Sequence, residues 1–225
     1  MANAIRDSVN RCVLVCRFPA CECQHMRGAV MIDRFLEGNK RFIANDFEKD
    51  REYYKKLSTG QSPTALFIGC SDSRVNLERV VDAKMGEIFV HRNIGNIVPR
   101  DDVNLATVLE YAVKHLKVQD IVVFGHSDCG AMKALDAGPG SGDVFIPAWL
   151  DNAKEVKVLA DEKLPDPKTP AAVREKRRLI EIENMRLQLE HLRSYDFVRS
   201  AEEKGTIALH GLYYDLETGE VSRVL

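Results

Sequence analysis

The sequence predicts an α/β fold: a central, mostly parallel β-sheet of four strands plus a C-terminal edge strand, flanked by α-helices. Three observations lead there. The segments Ala65-Leu66-Phe67-Ile68-Gly69, Ile88-Phe89-Val90 and Ile121-Val122-Val123-Phe124-Gly125 are short, continuous apolar runs, the pattern of strands buried on both faces. Val103, Ala106, Leu109, Val113 and Leu116 repeat at helical spacing between the second and third runs. Strands without a polar face that are separated by helices belong to a parallel sheet covered on both sides.

Taken in order, residues 1–30 hold four cysteines but little hydrophobic periodicity and read as an N-terminal extension. The body, residues 31–225, opens with Ile32, Phe35, Leu36, Phe42 and Ile43 at helix-like intervals through Ala44. A second, polar helix is expected over Glu48 to Leu57. Ser58-Thr59-Gly60-Gln61-Ser62-Pro63 then breaks the helix before the first strand. Beyond Gly130 a helical stretch runs to Leu135, and Gly138-Pro139-Gly140-Ser141-Gly142 forms a loop before a segment from Phe145 to Leu159. Pro165, Pro167 and Pro170 mark a linker ahead of a long helix carrying Leu179, Ile182, Met185, Leu189 and Leu192. Thr206 to Tyr214 reads as a strand, Thr218-Gly219 as a turn and Glu220 to Leu225 as the edge strand.

Composition bounds the function. At 225 residues and 45% hydrophobic content the chain can bury one good core. Its 32 basic and 34 acidic residues are interspersed, so no field is available to draw in nucleic acid or an anionic membrane. The basic run Arg174, Lys176, Arg177 and Arg178 lies among glutamates and is expected to be the solvated face of a helix. No stretch approaches the ~20 apolar residues of a membrane span, and Val13-Leu14-Val15 is too short for a secretory signal. Cytoplasm is the expected compartment, although Arg6, Arg11, Arg17 and Arg27 keep an organellar leader open. Six cysteines in a chain of this length suit metal or reduced thiols better than a disulfide framework.

Two strand ends carry the chemistry. Cys70-Ser71-Asp72-Ser73-Arg74 follows one apolar run, and His126-Ser127-Asp128-Cys129-Gly130 follows another. Loops leaving the carboxyl ends of parallel strands are where ligands bind, so Cys70, His126 and Cys129 are expected on one side of the sheet. Two sulfurs and an imidazole suit zinc, and three protein ligands leave a fourth position for water. A metal there would lower the pKa of that water from 15.7 toward about 7. Arg74 can hold the Asp72 carboxylate in a charge-assisted pair; otherwise Asp72 could turn inward as a fourth ligand. Spacing alone leaves an equal alternative, two buried core cysteines and a structural histidine.

The strings Ile68-Gly69-Cys70-Ser71-Asp72-Ser73-Arg74-Val75, Gly86-Glu87-Ile88-Phe89-Val90-His91-Arg92-Asn93-Ile94-Gly95-Asn96 and Gly125-His126-Ser127-Asp128-Cys129-Gly130 together resemble the β-carbonic anhydrase family. The resemblance runs from about Met31 to the C-terminus. It implies zinc (Zn2+) on Cys70, His126 and Cys129, a catalytic dyad of Asp72 and Arg74, and reversible hydration of carbon dioxide to bicarbonate. It further implies that Gln61 bonds substrate across a dimer interface and that Phe89, Ile94 and Tyr111 line an apolar substrate pocket. The expected assembly is a homodimer or a multiple of dimers. A branch of the family binds regulatory bicarbonate beside a tryptophan three residues before the first cysteine ligand; here Phe67 stands there, with Val75 and Arg92 nearby in the motif. Carbon disulfide or carbonyl sulfide hydrolysis on the same ligands is an alternative, as is a non-catalytic zinc-binding scaffold.

Remaining candidates have blander readings. Cys12, Cys16, Cys21 and Cys23, with His25, lack the paired Cys-x-x-Cys spacing of zinc modules. His91 and His210 are expected to pack within strands, His115 and His191 to lie on helix surfaces, and Asp128 to cap a helix or orient its loop.

Overall fold

The structure, a computed structural model, describes residues 32–138 and 140–225. The extension with Cys12, Cys16, Cys21 and Cys23, and Met31 itself, lie outside the described residues. The chain falls into two compact units, one ending at Gly60 and one spanning Gln61–Leu225.

In the first unit, helix α1 covers 32–42 and continues into a wide turn at Ile43–Phe47; α2 is Arg51–Leu57. The second helix thus starts three residues later than the expected Glu48. Phe42, Phe47 and Tyr54 form a ring cluster, with Tyr54 at 5.5 Å from Phe42 and stacked on Phe47 at 5.0 Å.

The second unit is built on five strands: β1 Ala65–Cys70, β2 Ile88–Asn93, β3 Asp120–His126, β4 Ala208–Tyr214 and β5 Val221–Arg223. Their order is β2-β1-β3-β4-β5, parallel except for the antiparallel pair β4–β5. The expected sheet is therefore the observed one. β1 and β3 are central, which is why their runs have no polar face. Leu66 and Ile68 enter the core on one side, and Ala65 and Phe67 enter it on the other.

The helices are α3 Leu77–Val80, α4 Val103–Glu110, α5 Gly130–Ala137, α6 Ile146–Leu150, α7 Lys154–Lys163, α8 Pro170–Arg193 and α9 Asp196–Glu203. Neither α3 nor α9 was expected. In α4 the buried positions are Leu105, Leu109 and Ala112, whereas Val103 is 78% exposed. A wide turn at Tyr111–Leu116 extends this helix. The buried stripe of the regular helix starts at Leu105 rather than Val103, and the five-residue bonding of the wide turn shifts the phase only beyond Glu110.

Helix α8 crosses the sheet so closely that a Cβ on Gly125 would meet the Met185 sulfur at 2.2 Å. Two expectations on this helix are overturned. Lys176 is buried, because its ammonium reaches Asp161 at 2.7 Å and Asp136 at 2.9 Å on the neighbouring helices. His191 is buried rather than on the surface, with Nδ1 donating to the Val98 carbonyl at 2.8 Å.

Candidate metal centre

Parallel pairing aligns the carboxyl ends of β1 and β3, and each strand ends on a ligand, Cys70 or His126. Cys129 follows in the loop that turns into α5, where Asp128 takes a left-handed backbone (φ 59°). The donor atoms of Cys70, His126 and Cys129 lie within 4.8 Å of one another, all three residues buried. The two sulfurs are 4.0 Å apart, close to the separation of about 3.8 Å for two thiolates at 2.3 Å from a tetrahedral zinc.

The histidine is set up for a metal by its neighbour. Its Nδ1 donates to the Ser127 carbonyl at 2.9 Å, which leaves Nε2 with the lone pair. Nε2 is buried and makes no hydrogen bond among the described residues. An orphaned acceptor beside two sulfurs is costly in an empty core; a divalent ion would satisfy it. Two buried core cysteines with a structural histidine do not explain it. Cys70, His126 and Cys129 are thus positioned to bind a metal.

The acidities agree. The hydrogen bond from Cys129 draws the Cys70 thiol down, against burial, with help from His126 and the Gly95 amide. Cys129 is pushed up by the same hydrogen bond and by burial. Burial opposes charge on His126, but the adjacent Cys70 sulfur outweighs it and the imidazole is raised. Two sulfurs sharing one proton are the metal-free counterpart of two thiolates on one cation.

Asp72 lies outside the ligand cluster and is turned to Arg74. Arg74 Nε donates to Oδ1 at 3.0 Å and Nη2 to Oδ2 at 2.7 Å, and the Arg74 amide reaches Oδ1 at 3.0 Å. This clamp holds the Asp72 carboxyl well below the usual carboxylate range and raises Arg74. Arg74 also bonds the Asp128 carboxylate at 3.2 Å and its carbonyl at 3.1 Å. Asp128 is paired besides with Lys133, and its side chain does not cap α5, whose N-cap is Cys129 without a side-chain bond.

The other expected residues are dispersed. Gln61 is exposed at the start of the second unit. Ile94 is half exposed and begins the short 3-10 turn Ile94–Asn96 next to the ligand cluster. Tyr111, 43% exposed, stacks on His115 and tilts against Phe89 at 6.0 Å.

Four residues, Arg92 among them, were given no part in the metal centre by the sequence reading. Gly95, at φ 80°, donates its amide to Cys70 Sγ at 3.4 Å; a Cβ there would lie 2.9 Å from that of Ala131. Arg92 bonds the carbonyls of Cys70, Asp72 and Val75 at 2.6–3.0 Å. Asn184 secures the Gly95 carbonyl at 3.0 Å. Glu181 accepts the Cys129 amide at 3.1 Å. Its spacing from Met185, Gln188 and Leu192 places it on the buried stripe of α8, the one signal that could have found it.

A parallel α/β sheet with a Cys/His/Cys cluster at its strand ends defines a metalloenzyme class. The carbonic anhydrase family model matches residues 65–221. A carbonic anhydrase of Emericella nidulans is 36% identical over 191 residues, 83% of this chain and 80% of the relative. One of Pseudomonas aeruginosa is 38% identical over 198 residues, 83% and 84% of the two chains. Among solved structures, one of two tetrameric β-carbonic anhydrases from Sordaria macrospora superposes with a TM-score of 0.80 at 31% identity, covering 86% of this chain and 96% of that one. The chain belongs to the carbonic anhydrase family, a family of lyases, and its fold is that of the β class.

Proposed function

We propose that the protein catalyses the reversible hydration of carbon dioxide to bicarbonate and a proton, with zinc on Cys70, His126 and Cys129. The carrying observation is the buried, unbonded Nε2 of His126 facing two sulfurs 4.0 Å apart. Zinc held there supplies an acidified water as the nucleophile for carbon dioxide.

The chain's own residues do the rest. Asp72, kept charged, would accept a hydrogen bond from the nucleophile and so fix the direction of its lone pair. Arg74 engages both oxygens of Asp72, which keeps the carboxylate charged and away from the ligand corner. The Gly95 amide partly neutralises the Cys70 thiolate, offsetting the charge that two sulfurs donate and that would hold the water's pKa up. Ile94, Phe89 and Tyr111 provide apolar wall for a small uncharged substrate, and the Gln61 amide provides a donor to its oxygen. Ile94 and Tyr111 are too exposed to close a pocket within one copy, which favours a homodimer or larger multiple in which a second chain completes the site. Sulfur ligands that must stay reduced fit a cytoplasmic setting. Among the described residues no helix is long and apolar enough to cross a membrane.

The test is metal analysis of the purified protein combined with stopped-flow hydration of carbon dioxide across pH. One zinc per chain and hydration that rises with pH are expected. A metal-free active protein, or a zinc protein inert toward carbon dioxide, would end this reading.

A further inference from the structure

Glu181 is 4% exposed and sits on α8, one turn before the methionine that packs on Gly125. Its Oε1 accepts the Cys129 amide at 3.1 Å, and its Oε2 accepts the Tyr213 hydroxyl at 2.7 Å. Tyr213, itself buried, lies opposite Gly125 in the β3–β4 register, and Arg178 stands over its ring at 5.0 Å. The left-handed turn at Asp128 immediately precedes the Cys129 amide that meets the carboxylate. A turn through the left-handed region presents backbone N–H groups that suit an anion; here a side chain from a distant helix supplies the anion for one of them.

A buried carboxylate is a poor way to gain stability, since apolar residues of similar volume commonly do as well or better. What this one does that an apolar side chain does not is tie the Cys129 amide to the Tyr213 hydroxyl, one on each carboxylate oxygen. We infer that Glu181, itself fixed by Tyr213, is a positioning residue for Cys129, and that it sets the reach and orientation of that thiolate toward the metal. The inference rests on the metal-centre reading above and adds to it the part of the protein that shapes one ligand.

The experiment is titration of the metal-free protein with Co2+, read by thiolate-to-cobalt absorption, for the unaltered chain and for Glu181→Gln, Glu181→Leu and Tyr213→Phe. Glu181→Leu should lower Co2+ affinity by about 10- to 100-fold, the range for groups that orient metal ligands, and alter the absorption band. Glu181→Gln keeps a carbonyl oxygen for the Cys129 amide and should restore both. Tyr213→Phe should fall between them. A folded Glu181→Leu with the affinity and spectrum of the unaltered chain overturns the proposal. So does a loss of urea stability in the metal-free variants with no change in Co2+ binding, the mark of a purely structural role. Should Glu181→Leu not fold, Tyr213→Phe decides, and an unchanged band there overturns it equally. An unaltered chain that takes up no Co2+ would remove the metal reading itself, a failure visible before any variant is compared.

Discussion

The two loops that deliver the ligands are held by opposite charges. The loop after β1 is gathered by a cation: Arg92 collects the carbonyls of Cys70, Asp72 and Val75. The loop after β3 is gathered by an anion, because Glu181 accepts the Cys129 amide just after the left-handed turn. One loop presents backbone oxygens inward and the other presents backbone N–H groups, so each needs a clamp of a different sign. Both clamps come from elsewhere in the chain, β2 and α8, which ties the relative position of Cys70 and Cys129 to the packing of the whole sheet.

The largest expected effect comes from removing a ligand. Cys129→Ala should lose more than the roughly 100-fold in metal affinity attributed to outer groups and should abolish hydration; a variant purified with stoichiometric metal would break the assignment. Next is Asp72→Asn, which keeps the shape but not the charged acceptor. Its kcat/KM for carbon dioxide should fall by about 10²- to 10⁴-fold with metal retained. Because Arg74 holds the Asp72 carboxyl below its ordinary range, the charged pair persists through the working pH. Its support should therefore weaken only as pH falls below about 4; a pair that dissolves near neutrality in pH-jump fluorescence would contradict this.

The cationic clamp is the sharper test of the comparison. Arg92→Met leaves three carbonyls without their donor, and urea denaturation should show a loss of about 3 kcal/mol, the scale of charged hydrogen bonds. Arg92→Lys should recover only part of it, since an ammonium lacks the planar fork that spans separate acceptors. Hydrogen exchange should rise at residues 71–75 before it rises at 127–130. Equal loosening of both loops would mean that the clamps are one unit rather than two.

The strands and the Cys/His/Cys cluster were legible because they follow local rules. β1 and β3 are central and therefore apolar throughout, and Cys70, His126 and Cys129 stand at strand ends in a short motif. The clamps were not legible, since reading by pattern assigns charged and polar side chains to solvent. Glu181, Lys176 and His191 lie on the buried side of α8 because Tyr213, Asp161 and the Val98 carbonyl meet them there. Those partners are 32, 15 and 93 residues away, beyond any local window. α9 escaped for a different reason: only Val198 and Ala201 are buried in its eight residues, too few to show a period.

The smallest effect separates charge from backbone shape at Asp128. Lys133 and, after it, Arg74 hold its carboxyl below the usual range, while its backbone is left-handed. Asparagine tolerates that conformation and alanine does not, so Asp128→Asn removes charge alone. The side chain is half exposed, and such pairs contribute less than about 1 kcal/mol. A lowered carboxyl stabilises the fold above its unfolded pKa and loses that contribution as pH falls through the folded value. The difference between the unaltered chain and Asp128→Asn should thus be constant above about pH 5 and close below about pH 4. Asp128→Ala should add a pH-independent loss of about 1–2 kcal/mol for forcing a Cβ into the left-handed region. If the two variants match at every pH in urea denaturation, the shape of this turn does not depend on residue 128, and the Cys129 amide facing Glu181 is held by the carboxylate alone.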